Sequence, residues 1–198
     1  MSLTIFSGTF NPVHITHLIV AETVKTELNL DKIVFIPSFI PPHRDLSLVE
    51  PIHRLNMVKL AIKGNNDFEV NDIEFKIGDK SYSFCTIQKL YEENPNINGK
   101  INFIIGSDAF GLIDSWYEAE KLAKLVNFII VQRPDGSDIN SIFENIKLND
   151  FTYKIVNIPQ MDISSSYIRS KIKENKSIKY LVPETVEQYI IANRLYLV

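Results

Sequence analysis

Residues 3–20 read LTIFSGTFNPVHITHLIV. A β-forming run, Leu3 to Phe6, breaks at Ser7-Gly8-Thr9, and a helix-period pattern follows the histidines. In it Leu18, Ala21, Val24 and Leu28 fall on one stripe. A strand, a small-residue turn and a helix start together make a ready anion site. Gly8 admits a close backbone approach, and the helix start offers unpaired N–H groups and a positive dipole end. His14 and His17 are spaced i, i+3, so both side chains can face one ligand. Imidazole, with an ordinary pKa of about 6.5, can donate to phosphate oxygens near neutral pH. The pair is equally consistent with capping the helix or facing water. A metal pair is the weaker reading, because no cysteine or acidic cluster stands beside it. The stretch is neither a Walker A loop nor a G-x-G-x-x-G fingerprint.

The same alternation continues along the chain. LTIFS, KIVFIP, FEVNDIEF, INFIIG, NFIIVQ and YKIVNIP read as strands. Between most of them lie helix-period stretches such as HRLNMVKLAIK, SFCTIQKLYEEN and AEKLAKL. This predicts an α/β fold of βαβ units: a Rossmann-like parallel sheet of five core strands, with YKIVNIP as a further strand and helices on both faces. INFII and NFIIV are nearly continuous apolar runs, as central strands buried on both faces require. DISSSYIRSKIKEN and VPETVEQYIIANRLYLV read as two closing helices, the second with Pro183 at its start and Glu184 and Glu187 in its first turns. The loop SFIPPHRDLSLVEP is long and rich in proline and charge, which marks it as functional.

The bulk numbers set bounds. A chain of 198 residues, 45% hydrophobic, suits a single domain over 1–198, with its helical C-terminal part at about 164–198. A net charge of −3 with 23% charged residues gives no basic footprint for nucleic acid. One cysteine, Cys85, excludes an internal disulfide. No apolar run reaches the ~18 residues of a membrane span, and the N-terminus lacks signal-peptide features. The expectation is a cytoplasmic protein with no membrane partner. The sequence does not fix the oligomeric state; a homo-oligomer is compatible with it.

Seven segments in order resemble a known family. SGTFNPVHITH is similar to the G-G-T-F-D-P-x-H-x-G-H signature of the nucleotidyltransferase superfamily. FIPSFIPPHR, HRLNMVKLAI, SYSFCTIQKL, FIIGSDAFGLIDSW, ISSSYIR and YLVPETVEQYI resemble the later motifs of bacterial nicotinate mononucleotide adenylyltransferases. The resemblance covers nearly the whole chain. It implies transfer of AMP from ATP to nicotinate mononucleotide, with Mg²⁺ bound mainly through the ATP phosphates. The mononucleotide phosphate is already an anion, so the site must supply alignment and charge compensation rather than a strong base.

The resemblance also implies roles. His14 and His17 would contact ATP phosphates and steady charge at the α-phosphoryl group. Backbone groups of Gly8, Thr9 and Phe10 would cradle the nucleotides. Arg169, on the helix opened by Ser164, Ser165 and Ser166, would reach the leaving phosphates; read alone, it is a solvated helical arginine. Gly106 and Asp108 follow a buried strand at the place where open α/β sheets bind ligands, and Asp108 suits ribose hydroxyls or an N-cap. Arg133 would border the adenine pocket. Trp116, read alone, is core; the resemblance makes it the stacking partner of the pyridine ring. Thr86 and the backbone of Tyr117 would hold the nicotinate carboxylate, and Arg44, with His43 beside it, the mononucleotide phosphate. His53 and Arg54 read as packing the loop against its helix.

Four positions depart from the family pattern: Ser7 for Gly, Asn11 for Asp, Thr16 for Gly and Cys85 for Asp. Thr16 is consistent with crowding the nucleotide or with donating to a phosphate. Cys85 bears on ring specificity and has no use as a nucleophile in this chemistry. These departures keep other readings open: a preference for nicotinamide mononucleotide or phosphopantetheine, a regulatory nucleotide-binding module without catalysis, or a scaffold.

Overall fold

The computed structural model describes residues 3–42, 48–133 and 139–197. Six strands form one parallel sheet: β1 (Thr4–Gly8), β2 (Ile33–Pro37), β3 (Phe68–Val70), β4 (Ile101–Gly106), β5 (Val126–Gln132) and β6 (Thr152–Asn157). Their order is β3-β2-β1-β4-β5-β6, so the chain reverses direction across the sheet between β1 and β4. Nine α-helices surround it among the described residues: α1 (Ile15–Glu27), α2 (Pro51–Ala61), α3 (Ile73–Ile77), α4 (Ser83–Glu93), α5 (Ser107–Phe110), α6 (Ala119–Leu125), α7 (Ile139–Asn145), α8 (Ser165–Lys173) and α9 (Glu184–Ala192).

The two-residue period of the strands divides the core in two. Ile33, Phe35, Ile104, Ile129 and Val131 point to one face, where α1, α2, α8 and α9 pack with Val24, Met57, Ile168 and Val186. Val34, Ile36, Phe103, Ile105, Phe128 and Ile130 point to the other, under α3 to α7. Strands with both faces covered must be apolar throughout, which is why β4 and β5 read as continuous runs. The two closing helices are α8 and α9, capped by Ser164 and preceded by Pro183 as the sequence suggests.

One stretch differs from its reading. FEVNDIEF is not a single strand: β3 takes only its first three residues, and Ile73–Ile77 turns into α3. Asn71 causes the break. Its side-chain Oδ1 accepts the N–H of Ile73, an Asx-type turn that diverts the backbone from the ladder. Burial of Ile73 and Glu74 then fixes the short helix against the sheet. Helices α5 and α7 are too short to show a period in sequence.

Candidate active site

The point where the strand order reverses leaves a crevice at the carboxyl ends of β1 and β4. Gly8 ends β1 and Gly106 ends β4. Two cavities open here and share Phe6 and Gly106 as walls. The smaller, about 190 Å³, is lined by His14, Thr16, His17, Asp108, Arg133 and Ser165, with further residues of β1, β5 and the segment before α8. The larger, about 710 Å³, is walled by Gly8, Thr9, Glu74, Phe103, Trp116 and Tyr117, and extends to Pro41 and Pro42.

The loop from Thr9 to His14 is fastened from several directions. Arg54, on α2, is buried; its guanidinium donates to the carbonyls of Thr9 (3.0 Å), Ser38, Phe39 (2.8 Å) and Val49 (3.3 Å). Arg169 donates to the carbonyl of Asn11 (2.9 Å) and to Ser166 (3.3 Å). The Ser165 hydroxyl donates to the carbonyl of Pro12 (2.9 Å). Tyr196 donates its hydroxyl to Asn11 Oδ1 (2.9 Å), and the N–H of Ile15 to the carbonyl of Leu181 (3.0 Å). Phe10 stands in the left-handed region at φ 49°, its ring buried against Phe6, Phe35 and His17. That ring lies where a Cβ on Gly8 would meet it at 3.1 Å, so residue 8 has little room for a side chain.

The two histidines meet at the start of α1, with ring centroids 3.8 Å apart. His14 is the N-cap residue, and its backbone N–H donates to His17 Nδ1 (3.1 Å). That bond makes Nδ1 an acceptor and places the neutral ring's proton on Nε2. The capping reading of the pair is therefore met by His17, without excluding a ligand. Burial, reinforced by Arg133, pulls the His14 pKa down to about 4. Burial, then the neighbouring His14 and Arg133, holds His17 well below its usual range. Both rings are neutral at pH 7 in the free protein, and among the described residues the buried His14 Nδ1 has no hydrogen-bond partner.

The other sequence-predicted residues fall as follows. Asp108 lies in the first turn of α5, exposed, with Gly106 as the N-cap, so the aspartate faces the smaller cavity instead of capping. Arg133 follows β5 at the same cavity. Trp116 is half-buried edge-on to Phe103 at 6.2 Å, with its ring on the larger cavity. Tyr117 is exposed beside Tyr82, centroids 4.8 Å apart. Thr86 is not brought into either cavity. It is buried on α4, its hydroxyl directed to Glu74 (3.0 Å) and to the carbonyl of Tyr82 (3.2 Å). Thr16 is buried at the smaller cavity with its hydroxyl 3.5 Å from the carbonyl of Ile163, and donates there. Cys85 is half-buried on α4, and burial pushes its thiol pKa up. His53 bonds Tyr189 on α9 (3.0 Å), and Arg54 packs the loops as expected. Arg44 and His43 lie outside the described residues.

Glu74 escaped the sequence reading. It is a buried acid on the larger cavity whose pKa is pushed up by desolvation, against its hydrogen bonds and Arg54. An acid inside the β-like run FEVNDIEF gives no sign of burial; only the break at Asn71 could have revealed it.

A parallel sheet of this order, with a histidine pair lining a pocket at the switch point beside an aromatic-walled cavity, is the arrangement of a nucleotide-binding α/β protein. The model of cytidylyltransferase-like proteins matches residues 5–171. A protein of Caldicellulosiruptor saccharolyticus named "Probable nicotinate-nucleotide adenylyltransferase" is 40% identical over 99% of both chains. One of the same name from a Synechococcus strain is 38% identical, covering 98% of this chain and 96% of its own. The nicotinic acid mononucleotide adenylyltransferase of Plasmodium falciparum complexed with NaAD superposes with a TM-score of 0.81 at 25% identity, over 98% of this chain and 97% of that one. The chain belongs to the nicotinate-nucleotide adenylyltransferase family.

Proposed function

We propose that this protein transfers AMP from ATP to nicotinate mononucleotide, forming nicotinate adenine dinucleotide and pyrophosphate in NAD biosynthesis. The observation that carries the reading is the pair of cavities meeting at Phe6 and Gly106, one lined by His14, His17 and Arg133, one walled by Trp116 and Phe103. ATP occupies the histidine-lined cavity and the mononucleotide the aromatic one, so their phosphates meet over Gly8 and Thr9. An oxygen of the mononucleotide phosphate attacks the α-phosphorus. The bond from that phosphorus to the bridging oxygen breaks, and pyrophosphate leaves. No covalent enzyme intermediate forms.

Neutral His17, with its proton on Nε2, donates a hydrogen bond to the α-phosphoryl group, and His14 acts beside it. A fixed donor in a dry site stabilises the developing charge without reorganising. Arg169 and the N–H groups opening α8 at Ser165 and Ser166 receive the leaving phosphates. Gly106 and Asp108 hold the ribose, and Arg133 borders the adenine. Trp116 stacks on the pyridine ring, the Tyr117 backbone receives its carboxylate, and Arg44 takes the mononucleotide phosphate. Thr86 supports that pocket through Glu74.

Nucleotidyltransferases of this kind generally use a divalent metal. Among the described residues no three His, Cys, Asp or Glu side chains converge to hold one. Mg²⁺ would be carried in on the ATP phosphates, where Asp108 is the exposed carboxylate at the smaller cavity, and its contribution would be to neutralise phosphate charge. The test is pyrophosphate release from ATP and Mg²⁺ with nicotinate and nicotinamide mononucleotides in parallel. Release with the nicotinate form alone is expected. Release with the amide form alone reassigns the ring pocket. ATP binding without release from either makes the protein a regulatory module.

A further inference from the structure

Glu74 has no part in the chemistry just described, yet it sits on the wall of the larger cavity and is only 3% exposed. Its carboxylate collects donors from three places. The N–H of Phe39, just after β2, donates to Oε2 (3.1 Å). The Thr86 hydroxyl on α4 donates to Oε1 (3.0 Å). Ser81 accepts the N–H groups of Phe39 (2.8 Å) and Ile40 (3.2 Å), which leaves its own hydroxyl hydrogen for Glu74. Ser81 also donates its backbone N–H to the carbonyl of Ile40 (2.8 Å).

Arg54 grips the same segment from the opposite side. Its guanidinium donates to the carbonyls of Ser38 and Phe39, and none of its hydrogens goes to Glu74. The Phe39 peptide is thus held at its N–H by an acid and at its C=O by a guanidinium. Downstream of it, Pro41 and Pro42 line the larger cavity, as do Tyr82 and Ser83 at the start of α4. The 38–42 segment and the chain entering α4 are thus joined by the Ile40–Lys80 bridge and Ser81, and behind these by the Glu74 carboxylate, which alone among them reaches into α4 at Thr86.

We propose that Glu74 is a positioning residue for the mononucleotide: it sets the separation of the 38–42 segment from the start of α4, and so the width of the pocket. This rests on the reading that the larger cavity takes nicotinate mononucleotide. A glutamine at this position keeps the volume but replaces one acceptor with a donor, which then faces either the Phe39 N–H or the Thr86 hydroxyl. An alanine takes the acid from all three donors, leaving the Phe39 N–H to Ser81 Oγ and the Thr86 hydroxyl to the Tyr82 carbonyl.

The test compares the wild type with Glu74→Gln and Glu74→Ala by amide hydrogen exchange and by steady-state kinetics. In Glu74→Gln the Phe39 and Ile40 amides should exchange about tenfold faster while β5 amides keep their protection. KM for nicotinate mononucleotide should rise about three- to tenfold, further in Glu74→Ala, with kcat and KM for ATP within about twofold. Unchanged exchange at Phe39 overturns the proposal even if Glu74→Ala fails to fold. Faster exchange with an unchanged mononucleotide KM also overturns it, leaving a structural acid. A wild type that transfers AMP to neither mononucleotide refutes the function itself, before any variant is made; the exchange comparison still decides whether Glu74 holds the segment.

Discussion

At the residue scale, the proposed chemistry turns on the one ring proton that neutral His17 keeps, on Nε2. Replacing His17 with Ala should lower kcat about 100-fold while the ATP dissociation constant moves less than about threefold; equal activity would refute its role. His14 has a pKa of about 4 in the folded protein against an ordinary 6.5 for imidazole, so folding favours its neutral form. Its contribution to stability is complete above pH 6.5 and is lost as pH falls toward 4, about 3 kcal/mol at the limit. Urea titrations across that window should show the loss, reduced in His14→Gln. ATP phosphates beside the rings should raise both pKa values, so binding below pH 6.5 should take up protons, read as a heat that varies with buffer ionisation. Trp116→Ala should raise KM for nicotinate mononucleotide about tenfold and spare that for ATP; an unchanged value returns Trp116 to the core. The meeting of the two histidines was legible from their i, i+3 spacing. Glu74 and the committed hydroxyl of Thr86 were not, because burial depends on what a neighbouring element covers.

At the element scale, α1 owes its position to other elements. Its own start has no acidic residue, and its loop is pinned by α2, α8 and the segment after α9. Tyr196→Phe removes one donor from buried Asn11 Oδ1 and should cost about 1 kcal/mol, measured by chemical denaturation, with a fall in kcat because the histidines ride on that loop. The strands and longer helices were legible from their periods, β4 and α6 to the residue. The division of FEVNDIEF was not, since a single Asx turn outweighs a β-like composition. The pinning bonds were also hidden, because arginines reaching carbonyls across the fold leave no spacing to read.

At the scale of the whole molecule, the sheet is shared by both halves of the core, so the two cannot melt apart. Phe35 belongs to the face under α1 and α2, whereas Trp116 packs on the other. Phe35→Ala should cost about 3–5 kcal/mol and shift far-ultraviolet dichroism and Trp116 fluorescence together; separate transitions would divide the single domain. The order of the strands has a further meaning in time. The loop that carries His14 is closed by partners 153, 158 and 185 residues further along the chain, on Ser165, Arg169 and Tyr196. A ribosome delivers that loop first and its fasteners last. During synthesis the nascent chain therefore has its histidines before the helices that fasten their loop, and the loop's hydrogen bonds close only once Ser165, Arg169 and Tyr196 have been made.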